Sequence, residues 1–128
     1  MEAIKTERLA VVSIKAPDIP ATAHFYRDVL GLRLVPEHGH RIAFDLGELV
    51  LVIVEGQPEK VEPGSGSFFP VLTFAVENIE KAAEGLGLHG VKMIGGIHES
   101  MGTRWVYFYD PGGNLVELAQ FSAGLHGS

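Results

Sequence analysis

Six histidines, sixteen carboxylates and no cysteine bound the chemistry open to this 128-residue chain. Without a thiol there is no thiolate zinc site, no redox pair and no cysteine nucleophile. Serine fares little better. No Ser sits in a Gly-x-Ser-x-Gly turn, and Gly64-Ser65-Gly66-Ser67 reads as a flexible connection. Gly95-Gly96 and Gly112-Gly113 open onto no helix, which a phosphate-cradling loop requires. What remains is Glu117, a carboxylate inside the aliphatic run Leu115-Val116-Glu117-Leu118, with Arg104, His40 and His98 as the other reactive candidates. An unpaired carboxylate is costly among apolar neighbours, so Glu117 is either a site group or one arm of an internal ion pair, with Arg104 as the natural partner. Histidines in His38-Gly39-His40 and His98-Glu99 hold a metal only if a third fixed ligand joins them, and otherwise read as exposed loop residues. His24, Trp105 and Tyr107 read as core or surface residues.

The elements that must position these groups are legible from period and punctuation. Leu9 to Ile14 is a β-branched strand ending at Ala16-Pro17-Asp18, where Asp18 suits a helix cap. Ile19, Ala23, Tyr26 and Leu30 then recur at helical spacing, with Pro20 in the first turn and Gly31 closing the helix. Three strands follow: Leu32 to Pro36, His40 to Asp45 and Glu48 to Glu55, the last two joined by a short connection at Leu46-Gly47. Gly56 to Ser67, rich in Pro and Gly, is a linker. The same order then returns. Phe69 to Val76 is a strand, Glu77-Asn78 stands where Pro17-Asp18 stood, and Ile79 to Leu88 is a helix answered by Gly90. Val91 to Ile97, Thr103 to Tyr109 and Leu115 to Phe121 are strands, the last two joined by Asp110-Pro111-Gly112-Gly113-Asn114. The expectation is an α+β fold of two βαβββ repeats, residues 8–56 and 68–122, joined by linker 57–67 within one domain spanning 1–128.

Composition narrows the partners. Ten basic against sixteen acidic residues give a formal charge of −6, with no basic run, so a nucleic-acid partner is not expected. The apolar fraction of 46% with 20% charged residues is that of a globular chain, and sixteen glycines fit short strands tightly joined. Leu49 to Val54, the longest apolar run, is far too short to span a bilayer, and the charged start Met-Glu-Ala-Ile-Lys-Thr-Glu-Arg lacks the apolar centre of a signal peptide. A cytoplasmic protein with no membrane partner is expected.

Ala16-Pro17-Asp18, Phe25-Tyr26-Arg27-Asp28-Val29-Leu30-Gly31-Leu32 and Phe108-Tyr109-Asp110-Pro111-Gly112-Gly113-Asn114-Leu115-Val116-Glu117-Leu118 together resemble the vicinal oxygen chelate superfamily. That group includes glyoxalase I, extradiol dioxygenases, and fosfomycin- and bleomycin-resistance proteins. The resemblance runs from about Leu9 to Phe121 and implies a curved mixed sheet around a central cavity, often completed by a homodimer. In metal-dependent members His, Gln or Glu ligands come from the first and last strand of each unit. Counting back from Asp18 and Asn78 assigns the first-strand positions to Val11 and Val71, and matching Leu49-Val50-Leu51 to Leu115-Val116-Glu117 assigns the last-strand positions to Leu51 and Glu117. Only Glu117 can ligate. The resemblance therefore implies a site without the usual divalent metal, a displaced metal site remaining the alternative.

Strand parity then supplies a lining. If Val11, Val71 and Glu117 face inward, so do Ser13 and Thr73. Pairing Asp110 with Leu115 sets Phe108 opposite Glu117 and turns Arg104 inward, whereas a slip of one residue exchanges Arg104 for Trp105 and Tyr107. Pairing Asp45 with Glu48 sets Ile42 opposite Leu51 and brings His40 to the same side. The expected function is metal-independent binding of a small molecule, cationic or aromatic given the acidic balance, by a homodimer. The rival is an enzyme of the lyase, isomerase or dioxygenase kind, with Glu117 as general base, or as sole retained metal ligand, and Arg104 or His40 holding an oxyanion.

Overall fold

In a computed structural model the chain is described over residues 3–38, 41–64 and 70–122, at 36–38 for the backbone alone. It divides into two compact units, Met1–Pro58 and Glu59–Ser128. His40 and the start of the strand expected at Phe69 lie outside the described residues.

In the first unit Pro17 stops β1 (Val11–Ala16), and the Asp18 side chain accepts the Ala21 N–H at 3.1 Å to start α1 (Ile19–His24). The expected single helix to Leu30 instead widens into a π turn over Phe25–Val29, where Leu30 N–H reaches Phe25 O at 3.2 Å. The adjacent rings of Phe25 and Tyr26 are both buried there, in edge contact with each other, and Tyr26 packs on Phe44. Gly31, at φ 73°, releases the chain into β2 (Arg33–His38), β3 (Arg41–Asp45) and β4 (Val50–Glu55). The sheet order is β1-β4-β3-β2, with β1 parallel to β4 and the other pairs antiparallel.

The second unit repeats this plan with β5 (Leu72–Ala75), α2 (Ile79–Leu88), β6 (Met93–Ser100), β7 (Thr103–Tyr109) and β8 (Leu115–Gln120), in the order β5-β8-β7-β6. Asn78 caps α2 by accepting the Lys81 N–H at 3.0 Å. Ile79, Ala83 and Leu86, at helical spacing, bury the inner face of α2. The Ile79 N–H donates to Gln120 on β8 at 2.8 Å, so the Gln120 side of the sheet is the helix side. Val106, Phe108, Val116 and Leu118 share that side by alternation and are all buried. Both units are α+β with βαβββ order, as expected, and neither sheet closes into a barrel. Among the described residues no helix is long and apolar enough to cross a membrane.

Both hairpin registers differ from expectation, the later one by a single residue, which inverts its faces, and the earlier one by two, which keeps them. The Asp110 N–H bonds Asn114 O at 2.9 Å, which leaves a three-residue connection, Pro111-Gly112-Gly113, with Gly113 at φ 99°. Tyr109 therefore pairs with Leu115 and Tyr107 with Glu117, not Phe108 with Glu117. In the first unit Leu46 N–H bonds Leu49 O at 2.9 Å, closing a four-residue loop that pairs Asp45 with Val50. Leu51 then stands opposite Phe44, and Ile42 opposite Ile53.

The Asp110 carboxylate anchors the later turn, accepting the N–H groups of Gly112 and Asn114, each at 2.9 Å, and the Asn114 amide nitrogen at 2.9 Å, while the residue is only 4% exposed. Asp110→Ala leaves those donors unmet and is expected to lower stability by about 2–4 kcal/mol, read as a fall in the denaturant midpoint. A midpoint unchanged from the parent would show that the turn holds without its carboxylate.

Candidate functional site

The face of the second sheet turned away from α2 carries a groove of about 490 Å³. Strand alternation and the register just described put Thr73 (β5), Glu117 (β8), Tyr107 and Trp105 (β7) and Ala119 on this face. Val71, Pro70, Thr103 and Phe121 complete the lining, so one carboxylate and two threonine hydroxyls stand among three aromatic rings, one of them the Tyr107 phenol, and an aliphatic floor. No lysine or arginine is among these residues.

Glu117 is half-buried and accepts a hydrogen bond from Thr73 Oγ1 at 2.6 Å across the parallel β5/β8 pair. Tyr107 faces it from β7. Burial, and secondarily the Glu117 charge, push the Tyr107 phenol above the usual tyrosine range, with the neighbouring Trp105 indole partly opposing the shift. Trp105 Nε1 lies on the Tyr107 side and is buried, and among the described residues no acceptor meets it within strict hydrogen-bond distance and angle. On β6, His98 pairs with Trp105. Its ring stacks on the indole with centroids 5.7 Å apart and lies 5.5 Å from the Tyr107 ring. A bulge between Ile94 and His98, with Gly95 at φ 75°, precedes this shelf of rings.

The expected site residues divide between places. Glu117, Thr73 and Val71 come together in the groove. Val11 and Ser13 belong to the first unit, on the sheet face that also carries Val50 and Val52. Leu51 lies on the opposite, helix-covered side beside Phe44, with 0% exposure. Arg104 pairs with Gln120 and so points to the α2 side, where Nη1 meets Glu80 at 2.8 Å and Nε meets Glu99 at 3.4 Å. The internal ion pair between Arg104 and Glu117 is thus replaced by one between Arg104 and the helix. His40 lies outside the described residues. Trp105, Tyr107 and Phe121, absent from the expected lining, are its aromatic walls. The slipped register named Trp105 and Tyr107 in advance, and only the length of the turn decides for them.

A divalent metal does not fit this donor set. The β1/β4 pair sets Ser13 beside Val52 as β5/β8 sets Thr73 beside Glu117, so Val52, not Leu51, is the counterpart of Glu117. Of these positions, Val11 and Val52 in the first unit offer no ligand, and Val71 and Glu117 in the second offer a single carboxylate, whereas even open metal sites use about three protein ligands. Among the described residues no three His, Asp or Glu side chains converge.

A second concavity, about 370 Å³, lies beside α1 and is lined by Pro20, Ala23, His24, Arg27, Leu34, Ile42 and Phe44. Its polar groups are mutually engaged: Asp28 takes His24 Nδ1 at 2.6 Å and Arg27 Nη2 at 3.0 Å, and the Arg27 hydrogen bond holds the Asp28 carboxyl below its ordinary range.

A family model described as Glyoxalase/Bleomycin resistance protein/Dioxygenase superfamily matches residues 8–118. Among solved structures, the chain is similar to an integron cassette protein from the mobile metagenome of Vibrio cholerae, with 26% identity, TM-score 0.71, and coverage of 94% of this chain and 100% of that one. It is similar in fold to a lactoylglutathione lyase from Agrobacterium tumefaciens, at 21% identity and TM-score 0.68 over 91% of this chain and 95% of that one. It also shares its fold with an antibiotic binding protein from a Streptomyces species, at 20% identity and TM-score 0.72 over 94% and 100% of the two chains. No curated protein matches the sequence.

The raised Tyr107 pKa has a sign that can be tested. The folded chain holds the phenol neutral to higher pH than the unfolded chain does, so this contribution to stability is intact below about pH 10 and declines above it. Denaturant titrations across that range are expected to show a shallower alkaline decline in Tyr107→Phe than in the parent. Equal slopes would place the phenol in water.

Proposed function

The chain belongs to the glyoxalase/bleomycin resistance protein/dioxygenase superfamily, and on that footing we propose that it binds a small organic molecule in the groove of its second unit without a divalent metal. The observation that carries this reading is the company Glu117 keeps. A metal-ligating carboxylate needs further donors beside it, whereas Glu117 is met by the Thr73 hydroxyl and the Tyr107 ring, with Trp105 and Phe121 on the same groove. An apolar groove with few polar groups is the usual build of an organic-ligand site. The antibiotic binding protein of similar fold supports the compatibility of this architecture with binding a small organic molecule.

A second reading has its own observation. Glu117 is oriented by the Thr73 hydrogen bond, an arrangement suited to a general base that takes a proton from a carbon acid. Glu117→Gln separates the two: retained binding with lost turnover marks an enzyme, while weakened binding without turnover in either form marks a binder. The protein is further proposed to act as a homodimer, since Ile4 and Leu9 are 88% and 66% exposed and gain from being covered. Light scattering at twice the protomer mass is the expected result, and a monomer at working concentration would remove that proposal.

Trp105 is the sole tryptophan, so intrinsic fluorescence reports on the groove directly. Screening a small-molecule library by that signal should yield saturable changes that persist with chelator present and weaken about tenfold in Glu117→Gln, in line with loss of a charged hydrogen-bonding group. Stoichiometric Zn, Ni, Mn or Fe in protein purified without an affinity tag would overturn the metal-independent reading.

A further inference from the structure

No cation among the described residues meets the carboxylate that stands in the groove. Among the described residues Glu117 makes no ion pair, and its partners are the Thr73 hydroxyl and the Tyr107 phenol. Arg104, the basic residue nearest in sequence, faces the other side of the sheet and is engaged by Glu80 and Glu99. Lys60 does approach the sheet, but it lies 5.9 Å over the ring of Tyr109 and forms no ion pair with Glu117. Around Glu117 stand the rings of Tyr107, Trp105 and Phe121, whose faces carry the negative end of the aromatic quadrupole.

A carboxylate and aromatic faces attract the same kind of partner. A neutral ligand would displace water from Glu117 without replacing what that water supplied, and an anion would be repelled. A cation satisfies the carboxylate and the rings together, most of all one whose charge is delocalised or alkylated and therefore weakly hydrated. We propose that the groove selects an organic cation, a flat charged ring or an alkylammonium attached to one, with its charge toward Glu117 and its plane against Trp105 and Tyr107. The proposal rests on the reading that this groove is the binding site. It adds the charge and shape of what enters.

Calorimetry with three probes of similar shape tests it: N-methylquinolinium, quinoline and 2-naphthoate, at about pH 8 so that histidine and quinoline are neutral. The expected order is the cation at least tenfold tighter than quinoline, with 2-naphthoate weakest. In Glu117→Gln the cation is expected to fall to the level of quinoline, and in Trp105→Leu both should weaken. The preference should survive about 0.5 M salt, which screens the general field of an acidic protein but acts less on a contact inside a groove. Quinoline binding as tightly as N-methylquinolinium would overturn cation selection and leave the groove reading standing. A preference that persists in Glu117→Gln, or disappears with salt, would assign it to the net charge of −6 and overturn the proposal. No binding by any of the three at millimolar concentration would overturn the proposal and the groove reading together.

Discussion

The buried carboxylate of Asp110 decides how β7 meets β8, and the character of the groove follows from that meeting. By accepting hydrogen bonds from Gly112 and Asn114, Asp110 closes the turn after three residues instead of four. One residue of loop length is one inverted face. The three-residue turn puts Trp105 and Tyr107 beside Glu117 and sends Arg104 and Phe108 toward α2. A four-residue turn would have put Phe108 opposite Glu117, an arginine on the same face, and the rings of Trp105, Tyr107 and Tyr109 against the helix. The negative charge in an aromatic surround is therefore a product of turn geometry before it is a product of strand composition.

This also marks where the sequence stops being readable. Ile79–Leu88 and Thr103–Tyr109 have the expected bounds, and Asp18 and Asn78 cap the helices they were assigned to, because period and capping are local signals. Register is not local. Asp110-Pro111-Gly112-Gly113-Asn114 accommodates a loop of either length, and the choice depends on which backbone groups the Asp110 side chain reaches. The loop after Asp45 is longer than Leu46-Gly47 indicates, since Leu49 also belongs to it, but its shift of two residues leaves Ile42 and Leu51 on one face. The π turn at Phe25–Val29 was equally hidden, because a widened last turn keeps helical composition. Of the groove lining, the shared face of Glu117, Thr73 and Val71 was legible by parity from the first and last strands, where no hairpin intervenes.

The two units show how one plan diverges. At corresponding positions the first has Ser13 beside Val52, and the second has Thr73 beside Glu117. Substituting an aliphatic side chain at the last-strand position removes a possible ligand while leaving the sheet intact, since valine suits a strand at least as well as glutamate does. Arg104 contributes from the reverse side. By bonding Glu80 on α2 it ties helix to sheet, and the same commitment keeps its charge from neutralising Glu117. Stability and site electrostatics are thus set by a single arginine's choice of face.

The hydrogen bond between Thr73 and Glu117 joins residues 44 apart in the chain, on the first and last strands of the unit. Parallel neighbours of this kind require the whole intervening crossover, so their pairing belongs to late, high-contact-order assembly. The groove has no existence in a half-folded unit. Any occupant held there ties together the two ends of the folding sequence, and its binding energy enters the barrier to unfolding of the entire βαβββ unit.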